Sequence, residues 1–163
     1  MRRKHPGPFR PSVVESGYDG RTCPMLRPID WDRPRHLAVR FVLPLELAGR
    51  MNQKTGRSWV MAKRERDAVM RAMDDQLLDL DVDQWSTMRN AILECARPLV
   101  VLARCSSVEP DDSGSDAFGG KAPIDGLTRL GLIRDDSAKH IDRCCIWRRA
   151  KPGKGAFVVE VWV

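Results

Sequence analysis

The chain has 163 residues, a length that suits one domain burying about two thirds of its unfolded surface. It carries 28 Lys and Arg against 22 Asp and Glu, a net charge of +6, which favours a polyanionic partner. No apolar run approaches the ~20 residues that cross a bilayer, no hydrophobic stretch follows the basic N-terminus, and five cysteines without CxxC spacing exclude a simple disulfide framework; we expect neither secretion nor a membrane, but a reducing cytoplasm.

Residues 1–34 hold prolines at positions 6, 8, 11, 24, 28 and 34 among glycines and basic residues. Such a mix has too few periodic apolar positions to pack alone, and it predicts a flexible basic arm ahead of one folded domain over 35–163. His36 to Leu43 is rich in β-branched and aromatic residues and stops at Pro44, which predicts a strand. After a polar turn containing Asn52 and Gly56, Ser58 is a candidate cap for a helix to about Leu78. Val60, Met61, Ala68, Val69, Ala72, Met73 and Leu77 lie close to a 3.6 period along it. Lys63, Arg64, Arg66 and Arg71 occupy its other face, as a solvated surface or as DNA contacts.

A second helix is expected within Gln84–Cys95, and Pro98–Ser107 predicts a buried strand, a short apolar run ended by polar residues and Pro110. A short helix follows from Gly120 to Leu130, with Ile124, Leu127 and Leu130 on its inner face and Pro123 in the first turn, where no intrahelical amide bond is lost. Lys139–Ala150 and Ala156–Val163 predict two strands joined by the Lys-Pro-Gly-Lys-Gly turn at 151–155. The expected fold is α/β (α+β): a single small domain with a mixed β-sheet, flanking helices and a C-terminal β-hairpin.

The densest chemistry lies in DDSGSDAFGGKAPIDGLTRLGLIRDD, from Asp111 to Asp136. Carboxylates this crowded need solvent or a cation, and Mg²⁺ takes one or two of them together with waters and substrate phosphate. Lys121 and Asp125 lie four apart and share one helical face, as a functional pair or as a surface ion pair worth a few tenths of a kcal/mol.

GGKAPIDGLTRLGLIRDDSAKHI resembles the signature region of RusA-like Holliday junction resolvases, small Mg²⁺-dependent endonucleases of phages and prophages. Lys121 matches the family lysine, Asp125 the aspartate four later, Gly131 the small-residue break, and Asp135 with Asp136 the following pair. LPLELAGRMNQKTGRSWVMAKRERDAVM is more weakly similar to the family's opening strand, turn and first helix. The family's DxDN element is missing; its acids fall on Asp112, nine residues before Lys121, and Asp116, five before it. The resemblance implies that Asp112, Asp116 and Asp136 ligate Mg²⁺, with Asp135 as a further metal group, and that Lys121 and Asp125 serve catalysis. It also implies that the chain cuts four-way junctions or other branched DNA as a homodimer, since symmetric cutting of a two-fold junction calls for two sites related by that symmetry. Arg57, Lys63, Arg64, Arg148, Arg149 and Lys151 are the candidate phosphate contacts. With one acid displaced, the rival is a branched-DNA-binding module that does not cut.

Other signals point to structure. His140 reads as a lone structural histidine, and three distant histidines make a zinc site a poor fit. Trp147 and Trp162 read as core or dimer-interface residues, and Cys144 and Cys145 as strand packing. GxxxxGKS/T and GxGxxG do not occur, so a nucleotide site has no support.

Overall fold

The computed structural model describes residues 32–49, 59–108, 121–137 and 139–163. Strand β1 (Leu37–Pro44) leads into a one-turn helix α1 (Leu45–Gly49), then helices α2 (Trp59–Leu77) and α3 (Val82–Glu94). Strand β2 (Leu99–Ser106), helix α4 (Lys121–Arg129), strand β3 (Asp142–Arg149) and strand β4 (Ala156–Trp162) complete the chain. Every long predicted element is present, in a mixed α+β arrangement. Ser58 as a cap and residues 1–31 of the expected arm over 1–34 lie outside the described residues, and α1 was not anticipated.

Local chemistry sets the boundaries. Helix α3 starts two residues before the predicted Gln84 because Asp81 caps it: the Asp81 carboxylate accepts the Gln84 amide at 2.8 Å, and the Gln84 side chain accepts the Asp81 amide at 3.1 Å. This reciprocal box satisfies two amides that the first helical turn leaves without partners. Helix α4 ends in a Schellman motif: Leu132 donates to the Leu127 carbonyl and Gly131 to that of Thr128, with Gly131 at φ 68°. Leu127 and Leu132 are fully buried, which supplies the apolar contact that accompanies such a stop.

The four strands are ordered β1-β4-β2-β3. β4 is antiparallel to both neighbours, whereas β2 and β3 run parallel and are linked through α4. The expected C-terminal hairpin is therefore corrected: β3 and β4 are consecutive but separated by β2. The reason is apolar burial on two sides. Phe157, Val159 and Val161 face the core beneath the helices, while Val158 and Trp162 join Leu99, Val101, Ala103, Cys144 and Ile146 on the opposite face. A strand that is apolar on both faces belongs in the middle of a sheet.

The connection from β3 to β4 crosses the end of β2. Ala150 donates to the Ser106 carbonyl, and Lys154 to that of Lys151, closing a turn with Pro152 and a Gly153 at φ 73°. Gly155 sits so close to β2 that a Cβ would meet Leu45 at 2.6 Å and the Cys105 carbonyl at 3.2 Å. The missing side chain lets the chain pass.

Helices α2, α3 and α4 cover one face through Val69, Met73, Ile92, Ile124 and Leu127. Trp147 and Trp162 are both buried, and the Trp147 indole donates to the Ser106 hydroxyl at 3.0 Å. Both cysteines at 144 and 145 pack within the sheet. Among the described residues no helix is long and apolar enough to cross a membrane.

Burial pushes the Cys144 thiol up to about 12, with the neighbouring Cys145 adding to it and Arg148 opposing it. Its reactive thiolate is then scarce at ordinary pH. We predict that Cys144 escapes a thiol-specific disulfide reagent at pH 8 until the chain is unfolded, as read by peptide mass mapping. Prompt labelling in the native state would contradict this packing.

Candidate functional site

The sheet positions α4 and the turn that carries Asp135 and Asp136. α4 packs against α2 in the opposite direction: Gly126 approaches Met73 and Met70, and Arg129 reaches Met70 and Asp67. Near the end of α2, Gln76 brackets the Val42 backbone, accepting its amide at 2.9 Å and donating to its carbonyl at 3.0 Å. Val42 pairs with Val158 and Val158 with Ala103, toward the carboxyl end of β2. α4 therefore starts near that end and runs toward the amino end of β2 and β3.

The turn after α4 is anchored at the amino end. Arg89 donates to the Gly131 carbonyl at 3.2 Å, and Arg134 to the Leu93 carbonyl at 3.2 Å, both ties to α3. Asp142 then donates its amide to Pro98, so β3 begins beside the start of β2. Asp135 and Asp136 project from this anchored turn.

The two aspartates have different surroundings. Asp135 accepts the Ser137 amide at 2.7 Å through Oδ1, and His140 Nε2 lies 3.3 Å from Oδ2. Ser137, through hydroxyl and amide hydrogen bonds, holds the Asp135 carboxyl below the usual carboxylate range, helped by His140 and Lys139. Both Asp135 oxygens are thus engaged. Asp136 is exposed; its backbone carbonyl accepts from Arg143 at 3.4 Å, and among the described residues its carboxylate has no hydrogen-bond or ion-pair partner.

Asp125 stands half-buried on α4, and its carboxylate likewise has no partner among the described residues. Lys121 opens the helix. Asp112 and Asp116 lie outside the described residues, as does Arg57. Among the described residues no three His, Cys, Asp or Glu side chains gather as metal ligands. An unengaged Asp136 suits a hard cation such as Mg²⁺, which needs few protein oxygens, yet a complete site needs carboxylates from elsewhere.

The candidate phosphate contacts do not form one patch. Lys63 and Arg64 are exposed early in α2, whereas Arg149 and Lys151 are exposed at the far end of β3. Arg149 lies 5.8 Å above the Trp147 ring, a cation–π geometry. Arg148 reaches a buried Glu160 at 3.4 Å.

Two features escaped the sequence. His140 precedes β3, which starts at Asp142, and it faces Asp135; five residues across an irregular turn carry no periodic signal. Glu160, the one charged residue of β4, is fully buried. Only the register, which sets Arg40 opposite it, discloses its partner.

No family model and no curated protein matches this chain.

A depressed carboxyl stabilises the fold above the ordinary carboxylate pKa of ~4, and that contribution fades as pH falls through the lower folded value. Replacing Ser137 by Ala removes the hydroxyl and leaves the amide. We predict that Asp135 then titrates at higher pH than in the wild type, still below the ordinary value, as read from its carboxyl carbon by NMR. An unmoved midpoint would reject the hydroxyl's role.

Proposed function

We propose that this chain is a Mg²⁺-dependent, structure-selective endodeoxyribonuclease that cuts four-way junctions or other branched DNA in recombination or repair. The observation that carries the reading is the turn released at Gly131, which presents the unengaged carboxylate of Asp136 to solvent. This is the aspartate that matches the second member of the resolvase pair.

In this reading Asp136, with Asp112 or Asp116, holds Mg²⁺, which supplies charge neutralisation at the phosphate and a water acidic enough to attack it. Asp135 keeps His140 and Ser137 in place, and that fixes the loop from which Asp136 projects. Lys121 and Asp125, four residues apart on α4, serve the catalysis in this reading. Two copies acting as a homodimer would offer two sites to a two-fold junction, and the reading sets the protein in a bacterial or phage-infected cytoplasm.

A second reading is a branched-DNA-binding module without cleavage. It is favoured by the separation of attachment points: Lys121 and Asp136 sit toward opposite ends of the β2–α4–β3 unit, with the remaining acids attached on the Lys121 side. Strand β2 alone, eight residues long, spans roughly 23 Å.

A synthetic four-way junction, incubated with and without Mg²⁺, separates the two. We predict that wild type nicks it with Mg²⁺ alone, and that Asp136→Asn lowers the rate at least about a hundredfold, ~2.7 kcal/mol of barrier, with junction affinity unchanged or higher. Equal cutting by both proteins would remove Asp136 from the metal site. Tight binding by wild type without any cut would establish the binding module instead.

A further inference from the structure

Two carboxylates are buried on the sheet face away from the helices, and each holds two guanidinium groups. Asp142 pairs with Leu99 and Glu160 with Val101, two residues apart on β2, so both side chains project to the same side. Asp142 takes Arg35 at 3.3 Å and a close contact from Arg97. Glu160, fully buried, accepts Arg40 Nε at 2.9 Å and Arg148 Nη1 at 3.4 Å on one oxygen, and the Trp162 indole at 3.2 Å on the other. One negative charge cancels only one of two positive ones. The Glu160 cluster therefore leaves a net positive charge on this face.

The Glu160 cluster shows that excess to solvent. The Arg40 side chain is 49% exposed and that of Arg148 34%. Arg40 binds Glu160 through Nε, so both its terminal amino groups remain available, and Arg148 commits only Nη1. An arginine held at one edge of its planar fork keeps the other edge oriented, which lowers the cost of binding a phosphate oxygen there. No described helix residue joins the apolar cluster on this side. The Trp162 ring is buried and its N–H is spent on Glu160, so among the described residues the face has charge to offer a backbone but no exposed tryptophan for a base.

We propose that Arg40 and Arg148, clamped by Glu160, form a binding site for the DNA phosphate backbone on the sheet face opposite the helices. Glu160 is a positioning residue: it touches no phosphate and aims the two that do. The site rests on the nucleic-acid reading above and extends it to a surface that no motif identifies. Backbone contacts of this kind fix orientation and carry no sequence preference.

The test measures binding of the full chain to a four-way junction and to a linear duplex across a series of salt concentrations without Mg²⁺. R40Q leaves Arg148 on Glu160, and the triple variant R40Q/E160Q/R148Q removes the buried charge with its partners, so neither strands a carboxylate. Thermal melts confirm that each variant folds. The slope of log affinity against log salt should flatten by about one in R40Q and about two in the triple variant, with equal proportional loss on junction and duplex. Wild-type binding with unchanged slopes in both variants would overturn this site and leave the functional reading standing; it would turn the surface toward another acidic partner. A wild type without affinity for either DNA would overturn both.

Discussion

β4 lies between β1 and β2 with apolar side chains on both faces and a single carboxylate, Glu160, among them. Burying a strand twice over removes far more apolar surface from water than a hairpin at the edge would, at about 25 cal/mol for each Å². That preference separates β4 from the strand before it. β2 occupies the gap, β3 joins β2 in parallel, and a parallel pair requires a crossover, which α4 supplies. The placement of α4 and the turn after it follows from where β4 sits.

The same placement sets where α4 and the Asp135–Asp136 turn stand. Because α4 runs back along the sheet, its first residue and the Asp135–Asp136 turn stand toward different ends of the β2–β3 pair. Asp135 is committed to Ser137 and His140, which makes it the fixed member, and Asp136 is the one whose carboxylate has no partner among the described residues. Buried carboxylates elsewhere follow an opposite logic: Glu160 and Asp142 are removed from solvent and stabilised by paired arginines. A charge taken out of water must be compensated by partners or it is strongly destabilising. The chain thus uses some acids to hold its sheet together and leaves another, Asp136, exposed to solvent.

Much of the fold was legible in the residues. Alternation in Phe157–Val163, the apolar run in Leu99–Ala103 and the spacing of Ile124 and Leu127 all mark elements that the structure contains. Pro152 and Gly153 marked a turn that is present. What the residues concealed was pairing, because strand order depends on which faces need burying and not on which strands are consecutive. Glu160 shows the difficulty: it is a buried charge whose partner Arg40 comes into view only across the register. At the candidate site, the pattern picked out Asp135 and Asp136 together but not their different surroundings, which turn on hydrogen bonds from Ser137 and the nearby His140.

The proposed nuclease site requires acids on the two sides of α4 to share one divalent ion. Mn²⁺ takes the same oxygen ligands as Mg²⁺ and broadens the NMR signals of nuclei close to it. Titrated into the full chain, one equivalent should broaden the amides of Asp136 and Ser137 together with those of residues 112–116. Broadening confined to one of these segments, or to neither, would contradict a shared site.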